Sequence, residues 1–257
     1  MDQPPSTLGV IYCFARSGGT LLNQCLGCHP TNAVLSEINP AGSYFDALWQ
    51  AEHWLGLLNK GNKNAIEPLP YDGQVAALAR LSTKAGRRLI VRDWTALNFL
   101  IDVMKGIEPS GVLEQEHYLA RTGLGLRRVV LSRRAESVFH SLRARIPQFL
   151  KLDAETFGQA YLAYAQAVCN YPVVHLTDFT SDPKPRMRRI CDLLDAAYED
   201  DFPDKFSEYS FCTGNTTLAV ETFSSTQREI AQVLPPDGAP SHPLFEEADK
   251  LLGYDTH

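Results

Sequence analysis

The sequence predicts an α/β fold, an open and mainly parallel β-sheet flanked by helices, in a single domain over residues 1–257. Short and nearly all-apolar runs recur along the chain, as they do in parallel strands that are covered on both faces. Segments with apolar residues at helical spacing lie between these runs. A glycine-containing turn joins the first run to the first helical segment, which is typical of a strand–loop–helix motif that binds phosphate.

Each element of this fold is assigned from its apolar pattern, and the alternation of the two patterns favours right-handed βαβ units. Strands are predicted at Leu8–Phe14, Ala33–Leu35, Leu89–Arg92, Val129–Ser132 and Val173–Leu176. Helices are predicted at Leu22–Leu26, Val138–Ile146, Glu155–Cys169, Met187–Leu194 and Leu244–Leu252. The stretches 41–87 and 104–126 are longer than a crossover needs, and we interpret them as helical insertions over the site. Turn residues are frequent between Pro203 and Pro243.

Composition and charge exclude several classes of protein. Hydrophobic residues make up 44% of the 257 residues and charged residues 21%, which is typical of a globular chain and not of a disordered one. The net charge of −6 argues against a nucleic-acid or membrane-surface binder. No apolar run is long enough to span a membrane. The first run lacks a basic leader, so we expect no signal peptide, a cytoplasmic location and reduced cysteines.

The strongest local motif is the segment CFARSGGTLL, which follows an apolar strand and opens a helix. Gly18 and Gly19 allow backbone amides to turn towards an anion, and Ser17 and Thr20 add hydroxyl donors. Arg16 adds a full positive charge, and the helix N-terminus adds a partial one. The lysine that ends the loop of P-loop NTPases is missing. A ligand-free turn between strand and helix fits this segment equally well.

Two later segments join a strand to a helix through charged residues. The run VVLSRRAESVFHSLR ends its strand at Arg133 and Arg134, and Ser141 follows Arg133 by eight residues. This offset can bring the hydroxyl over the carboxyl edge of the sheet, where open α/β sheets bind ligands. The run HLTDFTSDP leads into a basic helix that begins at Asp182-Pro183. Taken alone, both segments are also consistent with solvated arginines on helix surfaces.

Together these segments resemble the sulfotransferases that use 3′-phosphoadenosine 5′-phosphosulfate (PAPS). The segment ARSGGTLL resembles the 5′-phosphosulfate loop of that family, and SRRAESVFHSLRAR resembles its 3′-phosphate motif. HPTNAVLSEINP, HLTDFTSDPKPRMRRICDLLDAAY and the ending LLGY also resemble family segments, in the same order over about residues 8–254. The sequence departs from the family pattern at Ala15, Gly19, Ala135 and Leu176, which weakens the subfamily assignment.

The resemblance implies transfer of a sulfuryl group from PAPS to a hydroxyl or amine, with adenosine 3′,5′-bisphosphate as the product and no metal. Arg16–Thr20 would hold the 5′ end, and Arg16 would stabilise charge on the leaving oxygen. Arg133 and Ser141 would hold the 3′-phosphate. Gly214-Asn215 resembles a turn near the nucleotide, although a simple loop turn fits as well. The acceptor is a small molecule or a carbohydrate of unknown identity, and no nucleic acid is expected. The sequence does not indicate the oligomeric state.

The residue that accepts the proton of the acceptor has several candidates. Glu37 follows the second predicted strand, in a segment where several sulfotransferase subfamilies carry a glutamate, and is the first candidate. Asp93 ends the third predicted strand and is the second. His53, His117 and His140 lie in helical patterns and are weaker candidates. Either carboxylate could instead have a structural role, in a turn or in an ion pair.

Two other functions remain open at this point. A P-loop-type nucleotide kinase or NTPase would need a lysine at the loop end and ligands for Mg²⁺. A non-catalytic protein that binds a nucleotide through the same loops would lack only the base on the acceptor side. Binding of adenosine 3′,5′-bisphosphate in preference to ATP–Mg²⁺ would separate the first of these from a sulfotransferase.

Overall fold

Five parallel strands form the centre of the molecule in a computed structural model that describes residues 7–100, 106–214, 223 and 242–255. The strands are β1 (Thr7–Tyr12), β2 (Asn32–Ile38), β3 (Arg88–Asp93), β4 (Gly125–Ser132) and β5 (Val173–His175). They are hydrogen-bonded in the order β2-β3-β1-β4-β5, and each pairing is parallel. The predicted open parallel sheet is therefore confirmed.

The strand ends differ from the sequence prediction, in part because polar residues take part in the sheet; β1 ends at Tyr12, two residues before the predicted Phe14. β2 continues past its apolar run to Ile38, because Ser36 pairs with Arg92 of β3. β4 begins at Gly125, and its first half alternates between exposed and half-buried residues. β5 ends at His175, so the predicted strand residue Leu176 is instead the first residue of a helix.

Eleven α-helices lie in the described part of the chain. They are α1 (Gly19–Gly27), α2 (Ala47–His53), α3 (Lys60–Ile66), α4 (Tyr71–Lys84), α5 (Glu114–Leu119), α6 (Ala135–Arg145), α7 (Ala154–Val168), α8 (Leu176–Ser181), α9 (Pro183–Leu194), α10 (Phe202–Lys205) and α11 (Pro243–Leu251). The insertion 41–87 contains α2, α3 and α4. Residues 101–105 and most of the predicted turn segment 203–243 lie outside the described residues. No described helix is long and apolar enough to cross a membrane.

The sheet is covered on both faces, as its apolar strands predict. Val10, Leu35 and Val91 are buried in one cluster with α2, α4, α6, α7 and α11. The next residues along the strands point the other way, since side chains alternate across a sheet. Ile11 and Val34 are thus buried in a second cluster with α1, α8, α9 and α10. This double cover explains why the strands read as continuous apolar runs.

The position of β1 determines where a ligand can bind. β1 lies between β3 and β4, so the strand order changes direction there. In open α/β sheets, ligands bind outside the carboxyl ends of the strands at such a switch point. The loop between β1 and α1 lies at this edge, beside the ends of β3 and β4. Residues 13–18 and their neighbours are therefore where the fold predicts a ligand site.

Candidate functional site

The loop after β1 has the geometry of an anion cradle. Arg16 and Gly18 have positive φ values of 69° and 88°, and the amide of Ser17 donates to the carbonyl of Phe14 at 3.1 Å. Gly18 is the N-cap of α1, where no side chain caps the helix and the first turn contains no acidic residue. The first backbone N–H groups of a helix have no partner within the helix. They are therefore available to an anion in this loop.

Close contacts favour glycine at both Gly18 and Gly19, and the positive φ of Gly18 favours it there as well. A Cβ atom at Gly18 would lie 2.4 Å from Leu176 Cδ1, and one at Gly19 would lie 2.7 Å from Cys13 Sγ. The Ser17 side chain is fully buried, and its Oγ has no hydrogen-bond partner among the described residues. A buried hydroxyl without a partner is costly. A bound anion at this loop would supply the missing acceptor.

The loop and the end of β4 bring two arginines and a serine together. Arg16 Nε donates to Ser141 Oγ at 3.1 Å, and Arg133 Nη1 donates to the carbonyl oxygen of Arg16 at 3.3 Å. Burial, and then the positive charge of Arg16, lowers the pKa of Arg133 to about 10. The resemblance implies that Arg16 holds the 5′ end of PAPS and that Arg133 and Ser141 hold its 3′-phosphate, and in the fold these residues are in direct contact. Two adjacent cations at this position favour an anionic ligand.

Arg92 is a site residue that the sequence reasoning missed. It is 3% exposed. Its guanidinium donates to Asn23 Oδ1 at 3.3 Å, Ser36 Oγ at 2.6 Å and Glu37 Oε1 at 3.2 Å, and to Thr213. Burial is the largest influence and opposes its charge, but the Glu37 carboxylate, together with Cys13 and Cys212, raises the pKa of Arg92 overall. The available signal was an arginine inside the apolar strand LIVRD, because a charge buried in a strand needs a partner.

Glu37 lies between this buried arginine and the phosphate loop. Its backbone has a positive φ of 52°, and its Oε2 is buried without a hydrogen-bond partner among the described residues. Thr20 Oγ1 donates to the carbonyl of Thr213 at 3.2 Å, which fixes the next residue, Gly214, against the loop. A Cβ atom at Gly214 would lie 2.3 Å from Thr20 Oγ1 and 3.9 Å from Glu37 Oε1. The predicted partner of Gly214, Asn215, lies outside the described residues.

Asp93 is the more deeply buried of the two carboxylates. It is 1% exposed, and burial raises its pKa to about 7. Asn39 Nδ2 donates to Asp93 Oδ1 at 2.9 Å and to Asn98 Oδ1 at 3.0 Å. Beside this group, the rings of Tyr44 and Trp94 stack with centroids 4.6 Å apart. A carboxyl group with a pKa near neutrality can exchange a proton at physiological pH.

The three candidate histidines lie on different helices. His53 stacks on Trp49 of α2, His117 packs edge-to-face on Tyr118 of α5, and His140 lies 3.9 Å from Glu136 of α6. Each contact involves the histidine's own helix, as the helical patterns predict. The six cysteines are free. Among the described residues, no group of three or more His, Cys, Asp or Glu side chains could hold a metal ion.

Comparison with known proteins shows the fold. No protein-family model matches the sequence, and a search of curated proteins gives no match. Among solved structures, the sulfotransferase domain from the Synechococcus PCC 7002 olefin synthase is 17% identical, with a TM-score of 0.68 over 100% of this chain and 98% of that one. The sulfotransferase domain from the curacin biosynthetic pathway is 16% identical, with a TM-score of 0.55 over 99% of each chain.

The chain has the sulfotransferase fold. The fold predicted from the resemblance is therefore confirmed over the length of the chain. At 16–17% identity, the likeness extends to architecture and not to donor, acceptor or site residues. Within the sulfotransferase fold of this chain, the described residues that meet at the ends of β1, β3 and β4 are the candidates for chemistry.

Proposed function

We propose that the protein is a sulfotransferase that moves a sulfuryl group from PAPS to a hydroxyl or amine of a small-molecule acceptor. One observation carries the proposal. Two positively charged side chains lie close enough to repel each other, because Arg133 Nη1 donates to the carbonyl oxygen of Arg16 at 3.3 Å, beside the uncapped N-terminus of α1. A ligand with several negative charges relieves this repulsion. PAPS carries phosphate or phosphosulfate groups at both its 5′ and 3′ positions and fits that requirement.

The chemistry requires two positions of negative charge on the donor. The loop from Arg16 to Thr20 would bind the 5′-phosphosulfate through backbone N–H groups and the Ser17 hydroxyl. Arg133 and Ser141, at the end of β4 and on α6, would bind the 3′-phosphate. The hydrogen bond from Arg16 to Ser141 supports a donor site in which these two positions are adjacent. We propose that Arg16 stabilises the charge that develops on the leaving 5′-phosphate oxygen.

The transfer forms a bond between sulfur and the acceptor oxygen or nitrogen and breaks the bond between sulfur and the leaving 5′-phosphate oxygen. The acceptor group loses its proton to a carboxylate. Glu37 is our first candidate for this base, because Oε1 lies near Thr20 of the loop across Gly214 and Oε2 has no hydrogen-bond partner among the described residues. Arg92 compensates the charge of Glu37 next to an anionic donor. Asp93 is our second candidate because its pKa is about 7.

A matched pair of variants separates the two bases. Glu37→Gln and Asp93→Asn keep the shape of each side chain and remove its basicity. Loss of the base should lower kcat by ~10²-fold or more at neutral pH while leaving nucleotide affinity nearly unchanged. If Asp93→Asn loses activity and Glu37→Gln does not, Asp93 is the base. If both variants keep normal turnover, neither carboxylate accepts the proton.

Nucleotide binding tests the proposal as a whole. Calorimetry should give saturable binding of adenosine 3′,5′-bisphosphate with at least micromolar affinity, and ATP–Mg²⁺ should bind more weakly. The opposite order would favour a nucleotide kinase or NTPase, although the loop lacks the lysine of those enzymes. Turnover of PAPS with a panel of hydroxyl and amine acceptors then tests catalysis. Binding of the bisphosphate without transfer to any acceptor would favour a non-catalytic nucleotide-binding protein.

A further inference from the structure

The turn that carries Arg133 is held from both sides by the C-terminal end of the described chain. Ser132, at the end of β4, lies 3.0 Å from the hydroxyl of Tyr254. The amide of Ala135, at the start of α6, donates to Asp249 Oδ1 at 2.8 Å. Tyr254 and Asp249 belong to the segment Asp249–Asp255, which starts in α11 and runs beyond it. The residues before and after the two arginines are thus both bound by this segment.

Arg134 is directed away from Arg133 by the same segment. Its guanidinium lies over the ring of Tyr254, 5.0 Å from the ring centroid, and Nη1 is 3.6 Å from Asp249 Oδ2. Nη2 donates to the backbone carbonyl of Asp255 at 3.2 Å. Arg133 instead donates to the carbonyl oxygen of Arg16 in the phosphate loop. Arg133 and Arg134 therefore point to opposite sides of the turn, and Arg133 is the one that points towards the site.

The segment Asp249–Asp255 is itself held in place by contacts with β5. The ring of Tyr254 stacks on His175 of β5 with centroids 3.9 Å apart, and His175 Nε2 lies 2.9 Å from the carbonyl oxygen of Leu252. Asp249 is 7% exposed. α6 has no side-chain cap of its own at Arg134, so Asp249 provides from another helix the acceptor that a capping residue normally supplies. This contact joins α11 to the start of α6.

We propose that Asp249 and Tyr254 are positioning residues for the donor site, and that the segment Asp249–Asp255 orients Arg133 towards the 3′-phosphate of the nucleotide. The inference rests on the proposed function, because it concerns the nucleotide that Arg133 would bind. Neither side chain has to touch the nucleotide. Asp249 fixes the first turn of α6, Tyr254 fixes the last residue of β4, and together they keep Arg134 out of the site. Recognition of the 3′-phosphate then depends on residues more than 110 positions further along the chain.

The test compares the affinity for adenosine 3′,5′-bisphosphate with that for adenosine 5′-phosphate, both measured by calorimetry. The ratio of the first affinity to the second isolates the contribution of the 3′-phosphate contact, whereas general destabilisation of the protein lowers its affinity for both nucleotides. Asp249→Ala should lower the ratio by ~10-fold, because the charged hydrogen bonds from Arg133 to the 3′-phosphate become misaligned. Asp249→Asn keeps the acceptor for the Ala135 amide and should restore most of the ratio. Tyr254→Phe removes only the hydroxyl and should lower the ratio by ~3-fold.

Glu246→Ala, an exposed change on the same helix, is the matched control and should leave the ratio unchanged. If Asp249→Ala does not fold, the conservative double variant Asp249→Asn with Tyr254→Phe tests the inference through the Tyr254 hydroxyl, and a ratio lowered by ~3-fold or more supports it. A ratio that stays at the unaltered protein's value in folded Asp249→Ala, or in that double variant, overturns it. An unaltered protein that has no preference for the 3′-phosphorylated nucleotide overturns the proposed donor site as well.

Discussion

Replacing Asp93 by Asn should stabilise the protein at alkaline pH, because the native structure buries this carboxylate at the end of β3. Burial raises the pKa of Asp93 from 3.8 to about 7, against hydrogen bonds that favour the charged form. The folded protein therefore holds a proton that the unfolded chain has released between pH 4 and pH 7. Stability falls with rising pH wherever the folded state binds more protons. The Asp93 contribution is thus retained below pH 4 and lost progressively up to about pH 7.

The size of the effect follows from the same pKa values. At about 1.4 kcal/mol for each unit of pKa, the contribution of Asp93 to stability falls by about 2 to 3 kcal/mol between pH 5 and pH 8. An asparagine does not ionise, and its side-chain oxygen can still accept the hydrogen bond from Asn39. The free energy of unfolding of Asp93→Asn, relative to that of the unaltered protein, should therefore increase by about 2 to 3 kcal/mol from pH 5 to pH 8.

Urea unfolding at pH 5 and pH 8 measures this difference for each protein. Asp249 also has a raised pKa, of about 6, but it is present in both proteins and cancels in the comparison. Asp192→Asn, an exposed change on α9, is the matched control. Its difference in unfolding free energy from the unaltered protein should be the same at pH 5 and pH 8. An advantage of Asp93→Asn that is equal at pH 5 and pH 8 would refute the reasoning, because Asp93 would then ionise similarly in the folded and unfolded chain.

Three further predictions concern the donor site. Arg16→Ala should lower kcat by ~10²-fold or more while the affinity for adenosine 3′,5′-bisphosphate falls less, because the leaving oxygen gains charge in the transition state; unchanged kcat with weaker binding would make Arg16 a binding residue only. Arg133→Ala should weaken the binding of adenosine 3′,5′-bisphosphate by about 1.5–3 kcal/mol and that of adenosine 5′-phosphate by less, and Ser141→Ala should have a smaller effect in the same direction. Equal losses of binding free energy for the two nucleotides in calorimetry would contradict the 3′-phosphate assignment. Gly214→Ala should cost about 1–3 kcal/mol of stability, seen as a lower Tm, because its φ of 102° and a Cβ atom 2.3 Å from Thr20 Oγ1 are both unfavourable; an unchanged Tm would contradict it.

Much of the fold could be predicted because the relevant signals are local. Each strand contains a run of apolar residues whose alternate side chains enter two cores, as Val34 and Leu35 do in β2. The phosphate loop could be located because the glycines, Arg16 and the helix start are adjacent in sequence. The error at Leu176 has the same origin. An apolar residue at the end of a strand and one at the start of a buried helix look alike without a periodic signal.

The candidate site was only partly predictable, because its pairings join distant parts of the chain. Glu37 and Asp93 are candidates from sequence, but which of them pairs with Arg92 depends on the register of β2 against β3. In the fold, Arg92 forms an ion pair with Glu37, and Asp93 accepts a hydrogen bond from Asn39. The contacts of Thr213 with Thr20 and Arg92 span more than 110 residues. No local pattern indicates them.

The sequence by itself determined the parallel sheet, the succession of strands and helices along the chain, and the place of the phosphate loop, whereas the order of the strands within the sheet came from the structure. These follow from hydrophobic burial and backbone conformation, which act on neighbouring residues. The tertiary structure decided which charges meet. It placed Arg16 beside Arg133, buried Arg92 against Glu37, and brought Asp249 and Tyr254 to the start of α6. Electrostatic energy depends on distance through space and on burial, so these pairings exist only once the chain is folded.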